Sequence, residues 1–374
     1  MKQRVLLFSG IFILCLVLLY MQPVWFSTVP TVPPENEVHK EPPATTLNYV
    51  PIQSEGFANW IGKSLQDFQE EYGKADEQLS SGFSFQIHRY FLDEGGYLEV
   101  NVEQDKITAI KFLGEDNSFI APFEFGMTMN DLAKTTMVYP NFKISYNKET
   151  VGLELTEDDM NYRPLIAFDN GSFAILFFDL QKGDSSLYSV MYLNKSTLLK
   201  LAPYQVTEGN VPRFQLEEDA DWEKINQEKQ VQSSSIFQQL RKRENLTSFR
   251  EITTLQVESK EALERFELEP EDILTTERLQ TLKRLQEGEP GTFLLSENEM
   301  QDLLENESGS KIKGFFEMPV YDPVFTILSW HSDPYLHGRF TKEKKENLAV
   351  AYSKENILVL LQESEKVTKE SDDQ

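Results

Sequence analysis

Cysteine is nearly absent from this sequence of 374 residues, which contains only Cys15. Because that residue lies in an apolar run close to the N-terminus, the rest of the chain cannot form an internal disulfide. If the protein is exported, a Gram-positive cell envelope therefore suits it better than an animal secretory pathway.

Histidine is also scarce, since only His39, His88, His331 and His337 occur. This limits nucleophilic catalysis, which most often uses a histidine base beside the nucleophile. His331 and His337 are six residues apart, so their spacing excludes a His-x-x-x-His metal-binding face on one helix. The sequence contains no phosphate-binding loop and no dinucleotide fingerprint, and no pair of acidic residues stands out as a glycosidase pair. We therefore expect no cofactor, and the sequence favours a protein that is not an enzyme.

Basic residues are outnumbered by acidic ones. The chain has 36 lysines and arginines against 61 aspartates and glutamates, giving a formal net charge of −25 at pH 7. Such a surface repels nucleic acid, anionic lipid headgroups and teichoic acids. We exclude nucleic acid as a partner and interpret the acidity as a source of solubility.

One long apolar run is present, VLLFSGIFILCLVLLYM, from Val5 to Met21. As a helix it would span about 25 Å, enough to cross a thin hydrocarbon core. Lys2 and Arg4 precede it, so the positive-inside rule places the N-terminus in the cytoplasm. A cleaved signal peptide is the alternative, but no small-x-small cleavage site follows the run. We predict a retained signal anchor over residues 1–26, with a single pass and the bulk of the chain extracytoplasmic.

Three other stretches are predicted to connect or follow folded parts. Residues 27–50 form a proline-rich linker, residues 208–225 an acidic hinge, and residues 363–374 a charged, disordered tail. These boundaries leave two folded domains, at 51–207 and 226–362.

An internal repeat organises the first domain. Residues 61–68, IGKSLQDF, and residues 125–132, FGMTMNDL, share the pattern apolar-Gly-x-[Ser/Thr]-[Leu/Met]-x-Asp-apolar. Ser64 and Thr128 stand where helix N-caps are expected, and the aspartate three positions later completes a capping box. The repeat predicts a duplicated domain built from two related halves.

Strand-like segments follow each predicted helix, which makes the first domain α+β. Residues 97–102 alternate between polar and apolar side chains, a pattern typical of antiparallel strands with one buried face. Asn170-Gly171 is the strongest hairpin turn of the chain. The predicted strands are 83–91, 97–102, 107–112, 142–146, 151–155, 165–168, 173–178 and 187–192.

The second domain begins with helical segments at 236–246, 260–266 and 276–286. It closes with strands at 348–352 and 356–361, which flank a Ser-Lys-Glu turn. Helices followed by a closing hairpin favour an α-β-α sandwich.

The first domain resembles a known family. The Gly62-Lys63-Ser64 turn, the repeated Phe125–Thr128 turn and the closing segment LLKLAPY at 198–204 are similar to the CAP-associated N-terminal domain of Firmicutes proteins. That module precedes a domain of the CAP superfamily, which comprises cysteine-rich secretory, antigen and pathogenesis-related proteins. The resemblance covers roughly residues 55–207 and implies a CAP-like sandwich for the second domain. It implies no catalytic residues for the first.

The resemblance fails at the groove that carries CAP chemistry. Superfamily members usually place two histidines and two acidic residues there, a ligand set that suits a divalent metal. In this sequence SENEM at 296–300 stands for the Gly-Glu-Asn motif, and WHSDPYLHGRF at 330–340 for the Trp-x-x-Ser-x-x-His-Arg motif. The spacing places Tyr335 on the usual histidine, and the first groove histidine is missing. We therefore expect a degenerate CAP-like domain without an intact metal site, in which the weak catalytic candidates are Glu297, His331 and His337.

Three functions stay open at this point. The first is a membrane-anchored binding or scaffolding protein of the cell envelope, whose partner is an envelope protein or a cell-wall component. The second is an envelope hydrolase or metal-dependent CAP-type enzyme that uses Glu297 with His331 or His337. The third is a carrier of apolar ligands such as lipids, suggested by the 26 phenylalanines, although the simpler interpretation is that these residues fill the core.

Overall fold

The computed structural model describes residues 49–92, 96–180, 185–304, 311–341 and 345–363. The predicted anchor, nearly all of the proline-rich linker and the tail from residue 364 lie outside these ranges. Among the described residues, no helix is both long enough and apolar enough to span a membrane. The membrane anchor therefore stays a prediction.

The described chain mixes helices and strands, as the predicted α+β class requires. The helices are α1 (Leu65–Tyr72), α2 (Met129–Thr135), α3 (Glu157–Tyr162), α4 (Lys195–Leu201), α5 (Trp222–Arg243), α6 (Thr253–Leu268), α7 (Thr276–Glu287), α8 (Glu297–Leu303), α9 (Pro323–His331) and α10 (His337–Phe340). The strands are β1 (Glu77–Ser80), β2 (Gln86–Phe91), β3 (Tyr97–Glu103), β4 (Lys106–Leu113), β5 (Asn141–Tyr146), β6 (Glu149–Glu154), β7 (Leu165–Ala167), β8 (Phe173–Phe178), β9 (Leu187–Leu193), β10 (Gln205–Glu208), β11 (Arg250–Glu251), β12 (Phe293–Leu294), β13 (Ile312–Met318), β14 (Lys345–Ser353) and β15 (Asn356–Glu363).

An antiparallel sheet with strand order β1-β2-β3-β4-β9-β8-β7 forms the centre of the first domain. Its two sides are arranged alike about the central β4–β9 pair. The Gly62 N–H donates to the Ile107 carbonyl at the start of β4, and the Gly126 N–H donates to the Leu187 carbonyl at the start of β9. The two copies of the sequence repeat therefore occupy equivalent places in the sheet.

The repeated turns start short helices, as predicted. The Ser64 hydroxyl accepts a hydrogen bond from the Asp67 N–H at the start of α1. Thr128 and Asp131 form the full reciprocal capping box at the start of α2. Gly126, which precedes Thr128, has a φ of +80°, a conformation that glycine adopts without a steric cost.

A smaller antiparallel sheet, β10-β6-β5, is built from segments on either side of β7–β9. Its apolar residues alternate along the strands, with Phe142 and Ile144 on β5 opposite Val151 and Leu153 on β6. All four side chains are buried in the same core as the inner residues of the large sheet. The small sheet therefore extends the core of the first domain rather than starting a new one.

The third sheet, β11-β14-β15-β13-β12, belongs to the second domain and carries helices on both faces. Along β14, Leu348 and Val350 belong to the same core as Phe237 of α5. The intervening Ala349 packs on the opposite face, in the core that contains Leu263 of α6. This alternation gives the α-β-α layering that the sequence predicted for the second domain.

Contacts join the two parts of the described chain. Helix α5 begins at Trp222, within the stretch predicted as the hinge, and the Trp222 ring lies 5.5 Å from the ring of Phe83 in the first domain. Tyr188 of β9 donates its hydroxyl to the Leu328 carbonyl of α9 at 2.9 Å. One buried core includes residues of both domains.

Candidate functional site

A buried ion cluster lies where the two domains meet. Lys111 on β4 forms ion pairs with Glu99 on β3 and with Asp322, whose Oδ2 lies 2.5 Å from the Lys111 ammonium. Asp322 belongs to the second domain, where its other carboxylate oxygen accepts from the Phe325 N–H and caps α9. The cluster therefore joins the central sheet directly to the start of helix α9 of the second domain.

Amide side chains complete the cluster. Asn101 donates to Asp322 Oδ2 at 2.9 Å, and Gln232 of α5 donates to Glu99. Burial by itself would lower the pKa of Lys111, but Asp322 and Glu99 outweigh it and raise the pKa above its usual value. Lys111 therefore stays charged, because its cost of burial is offset by two carboxylates and their hydrogen bonds.

Beside this cluster, a cavity of about 250 Å³ opens between the domains. The first domain contributes Arg163 and Tyr204, and the second contributes Glu317, Trp330 and Asp333. Tyr204 donates its hydroxyl to the Arg163 carbonyl at 2.7 Å, which fixes the backbone from which the guanidinium projects. Small-molecule and peptide sites often form at such domain junctions, with a few polar groups in a mixed apolar wall.

The charged groups of the junction cavity hold one another in place. Arg163 donates to Asp159 at 2.9 Å and to the Ser329 carbonyl at 3.3 Å, and its guanidinium lies 3.9 Å from Asp333. Glu317 accepts a hydrogen bond from the Trp330 indole at 2.5 Å. Burial raises the pKa of Glu317 to about 7. The cavity thus offers a fixed cation and an acid that titrates near neutral pH.

The two predicted histidines come together in the second domain. His331 is the last residue of α9 and His337 the first of α10, and the chain reverses between them so that the ring centroids lie 4.6 Å apart. The His337 Nδ1 atom is 2.7 Å from the His331 carbonyl oxygen. The spacing argument against one helical face holds, since the two residues are on separate helices, yet the turn brings the rings together.

The acid next to these histidines is Glu244, at the C-terminal end of α5. Its Oε1 atom lies 3.4 Å from His331 Nε2 and 3.9 Å from His337 Nε2. Burial lowers the pKa of His331, so its imidazole is neutral at neutral pH. The neighbouring His331 lowers the pKa of Glu244, which is therefore a carboxylate. Two imidazoles and a carboxylate form a ligand set that suits a transition metal.

Glu297, the acid suggested by the Gly-Glu-Asn comparison, is not part of the cluster formed by Glu244, His331 and His337. It is the first residue of α8, is mostly exposed, and lies 3.7 Å from the Lys313 ammonium across the edge of β13. The sequence did not indicate Glu244 as a site residue, because it follows an Arg-Lys-Arg run that is typical of a charged helix end. Its place beside the histidines depends on how α5 packs against α9.

Comparison with known proteins defines the class. Residues 61–204 match the family described as CAP-associated N-terminal. The match agrees with the resemblance seen in the sequence over residues 55–207.

Two solved structures share the fold of most of the chain. One is a cysteine-rich secretory protein from Staphylococcus aureus, with a TM-score of 0.60 and 18% identity, covering 84% of this chain and 98% of that one. The other is an extracellular protein containing an SCP domain from Bacillus anthracis, with a TM-score of 0.60 and 16% identity, covering 83% of this chain and 96% of that one. At these identities the likeness shows the fold alone.

A curated relative is similar in sequence. The "Uncharacterized membrane protein YlbC" of Bacillus subtilis is 24% identical over 183 residues, which are 48% of this chain and 52% of that protein. The chain thus spans about half the length of the curated relative that it matches.

Proposed function

We propose that this protein is a membrane-anchored, extracytoplasmic binding or scaffolding protein of the Gram-positive cell envelope, without catalytic activity. The predicted anchor at residues 1–26 supports the location, as do a relative named as a membrane protein and a structural neighbour described as extracellular. The partner is an envelope protein or a cell-wall component.

The observation that carries the proposal is the cavity at the domain junction. Its polar groups are drawn from both domains, and their positions are fixed by contacts such as Arg163 with Asp159 and Glu317 with Trp330. The neighbouring Lys111 cluster holds the two walls together. A preorganised site of this kind loses little conformational entropy when a partner binds.

The size and lining of the cavity indicate the class of partner. About 250 Å³ is slightly below the usual range for small-molecule pockets and accommodates a side chain or a short peptide segment rather than a long acyl chain. The mixed charges of Arg163, Glu317 and Asp333 also favour a polar segment. Many of the phenylalanines are packed in the buried cores, which leaves the lipid-carrier alternative with less support.

Site-specific photocrosslinking on intact cells tests the proposal. Leu294 lines the cavity and is 37% exposed, so a photoreactive benzoylphenylalanine at this position faces a bound partner. Val257 on α6 is 48% exposed and serves as the matched control outside the cavity. The proposal predicts one reproducible adduct with an envelope protein or wall fragment from position 294, weakened by a second substitution, Arg163→Met.

The control at position 257 separates binding at the junction cavity from non-specific crosslinking. Position 257 gives no such adduct if the junction cavity is the binding site. Equal adducts from both positions, or none from position 294, would contradict the proposal.

A further inference from the structure

We propose that Glu244, His331 and His337 bind a single divalent transition-metal ion, with Zn²⁺ as the probe. This site is separate from the junction cavity, and its acid comes from the end of α5 rather than from the Gly-Glu-Asn position at Glu297. It therefore differs from the four-residue set that the CAP resemblance implies.

The distances between the candidate ligand atoms are close to those of a tetrahedral site. Zinc bonds to nitrogen and oxygen of about 2.0–2.2 Å place neighbouring ligand atoms about 3.3–3.6 Å apart. Glu244 Oε1 is 3.4 Å from His331 Nε2 and 3.9 Å from His337 Nε2. All three atoms lie within 4.8 Å of one another, so small side-chain rotations suffice to close the site.

Within the part of the chain that the structure describes, two of these atoms are buried without a hydrogen-bond partner. They are Glu244 Oε1 and His331 Nε2, which face each other across the site. Buried polar atoms in native proteins are nearly always satisfied by protein, water or an ion. A cation between an imidazole nitrogen and a carboxylate oxygen satisfies both.

The third ligand, His337, is oriented by a hydrogen bond from its other ring nitrogen, Nδ1. The His331 carbonyl can only accept a hydrogen bond, so the His337 Nδ1 that contacts it at 2.7 Å carries the proton. In a neutral imidazole the lone pair is then on Nε2, the atom that faces Glu244. Backbone carbonyls commonly fix metal-binding histidines in this way.

The side chains around the proposed metal site do not neutralise its carboxylate, and they leave the site partly open to solvent. Arg243 is the nearest neighbour in sequence, but its guanidinium is paired with Asp179 at 3.2 Å. The Tyr188 ring, from the first domain, contacts the edge of His331 with centroids 5.0 Å apart. Glu244 and His337 retain some side-chain exposure, so an ion can enter, and a water molecule or partner group can take the fourth position.

Metal binding by the purified full-length chain, stripped of metal, tests the inference. Isothermal titration with Zn²⁺ is expected to show one equivalent bound. Glu244→Gln and His337→Gln are each expected to weaken binding at least about tenfold. The control Glu297→Gln, which changes the acid that the sequence suggested, is expected to bind like the unmodified chain. Titration with Co²⁺ is expected to give the intense visible absorption of a tetrahedral site.

Each alternative result overturns the inference. These are the absence of stoichiometric Zn²⁺ binding, Zn²⁺ binding that survives both Glu244→Gln and His337→Gln, or an octahedral Co²⁺ spectrum. Unfolding curves of the variants confirm that a lost signal reflects lost ligands, since both substitutions replace side chains at a partly exposed edge. Failure here leaves the crosslinking test of the junction cavity unaffected.

Discussion

Lys111 shows how a single residue ties the domains together. Its ammonium is buried between Glu99 of the same sheet and Asp322 of the second domain. Removing the cation leaves two carboxylates buried without a counter-charge, which is far more costly than losing an exposed ion pair.

We therefore predict that Lys111→Met lowers the free energy of unfolding by about 3–5 kcal/mol. The matched control is Lys134→Met, which removes a mostly exposed ion pair with Asp131 and is expected to change stability by less than about 0.5 kcal/mol. Chemical denaturation of both variants measures the difference. Similar losses in the two variants would refute a special role for the buried cluster.

Glu317 predicts a pH dependence of stability. Its pKa rises from 4.5 to about 7 on folding, so the folded protein keeps a proton that the unfolded chain releases. The stabilisation from this proton is complete below about pH 4.5 and is lost as the pH rises to about 7.

Glu317→Gln removes this titration while keeping an acceptor for the Trp330 indole. We predict that the variant unfolds with the same free energy as the parent near pH 4. Near pH 8 we expect it to be more stable, by up to about 2–3 kcal/mol. Denaturation series at the two pH values provide the measurement, and a difference independent of pH would contradict the assignment.

Residues that act through distant contacts were the least predictable from the sequence. His331 and His337 were named as candidates because histidine is scarce, but their neighbour Glu244 lies about 90 positions earlier in the chain. Lys111 and Asp322 are separated by 211 positions. No periodicity or motif encodes such pairs, since they depend on how helices pack against the sheets.

At the scale of single elements, by contrast, the starts of helices could be predicted from the sequence. The capping boxes were predicted because the residues that form them are three positions apart and interact without help from the rest of the fold. Thr128 and Asp131 form both bonds of the box at α2. At α1 the Ser64 hydroxyl accepts from the Asp67 N–H, but no reciprocal bond to the Asp67 carboxylate is seen within the described ranges, so that predicted box is only half formed.

Thr128→Ala is predicted to lower the free energy of unfolding by about 1 kcal/mol, because the Asp131 N–H in the first turn of α2 loses its acceptor, the Thr128 hydroxyl. The control is Thr135→Ala in the last turn of the same helix, where the exposed hydroxyl makes only a long contact to a backbone carbonyl. Thermal unfolding followed by circular dichroism compares them. Equal effects would show that the cap contributes nothing specific.

Strands were also predicted correctly where neighbouring residues alone carry the signal. The segment 173–178 was predicted with the bounds that β8 has, because every residue in it is apolar. All six residues are buried in the structure. By contrast, β1 is polar and half exposed, so its sequence gave no strand signal. Strand β13 and helix α9 were missed as well; Gly314 within β13 packs against Met300 of α8, a contact that only the fold reveals.

At the scale of the whole molecule, the two parts of the described chain share a buried core. The sequence predicted an acidic hinge at 208–225, and this boundary stays a prediction. Its final residues nevertheless form the start of α5, where Trp222 packs against Phe83 and Gly82 of the first domain. Together with the Lys111 cluster, these contacts make the junction a fixed surface suited to binding.

Calorimetry of the full-length chain tests this claim most directly. A rigid unit with a shared core is predicted to unfold in one cooperative transition, with equal calorimetric and van't Hoff enthalpies. In the same experiment Lys111→Met is predicted to move that whole transition to lower temperature. Two separate transitions in the unmodified chain, with only one shifted by Lys111→Met, would show that the domains fold independently and would contradict a fixed binding site at their junction.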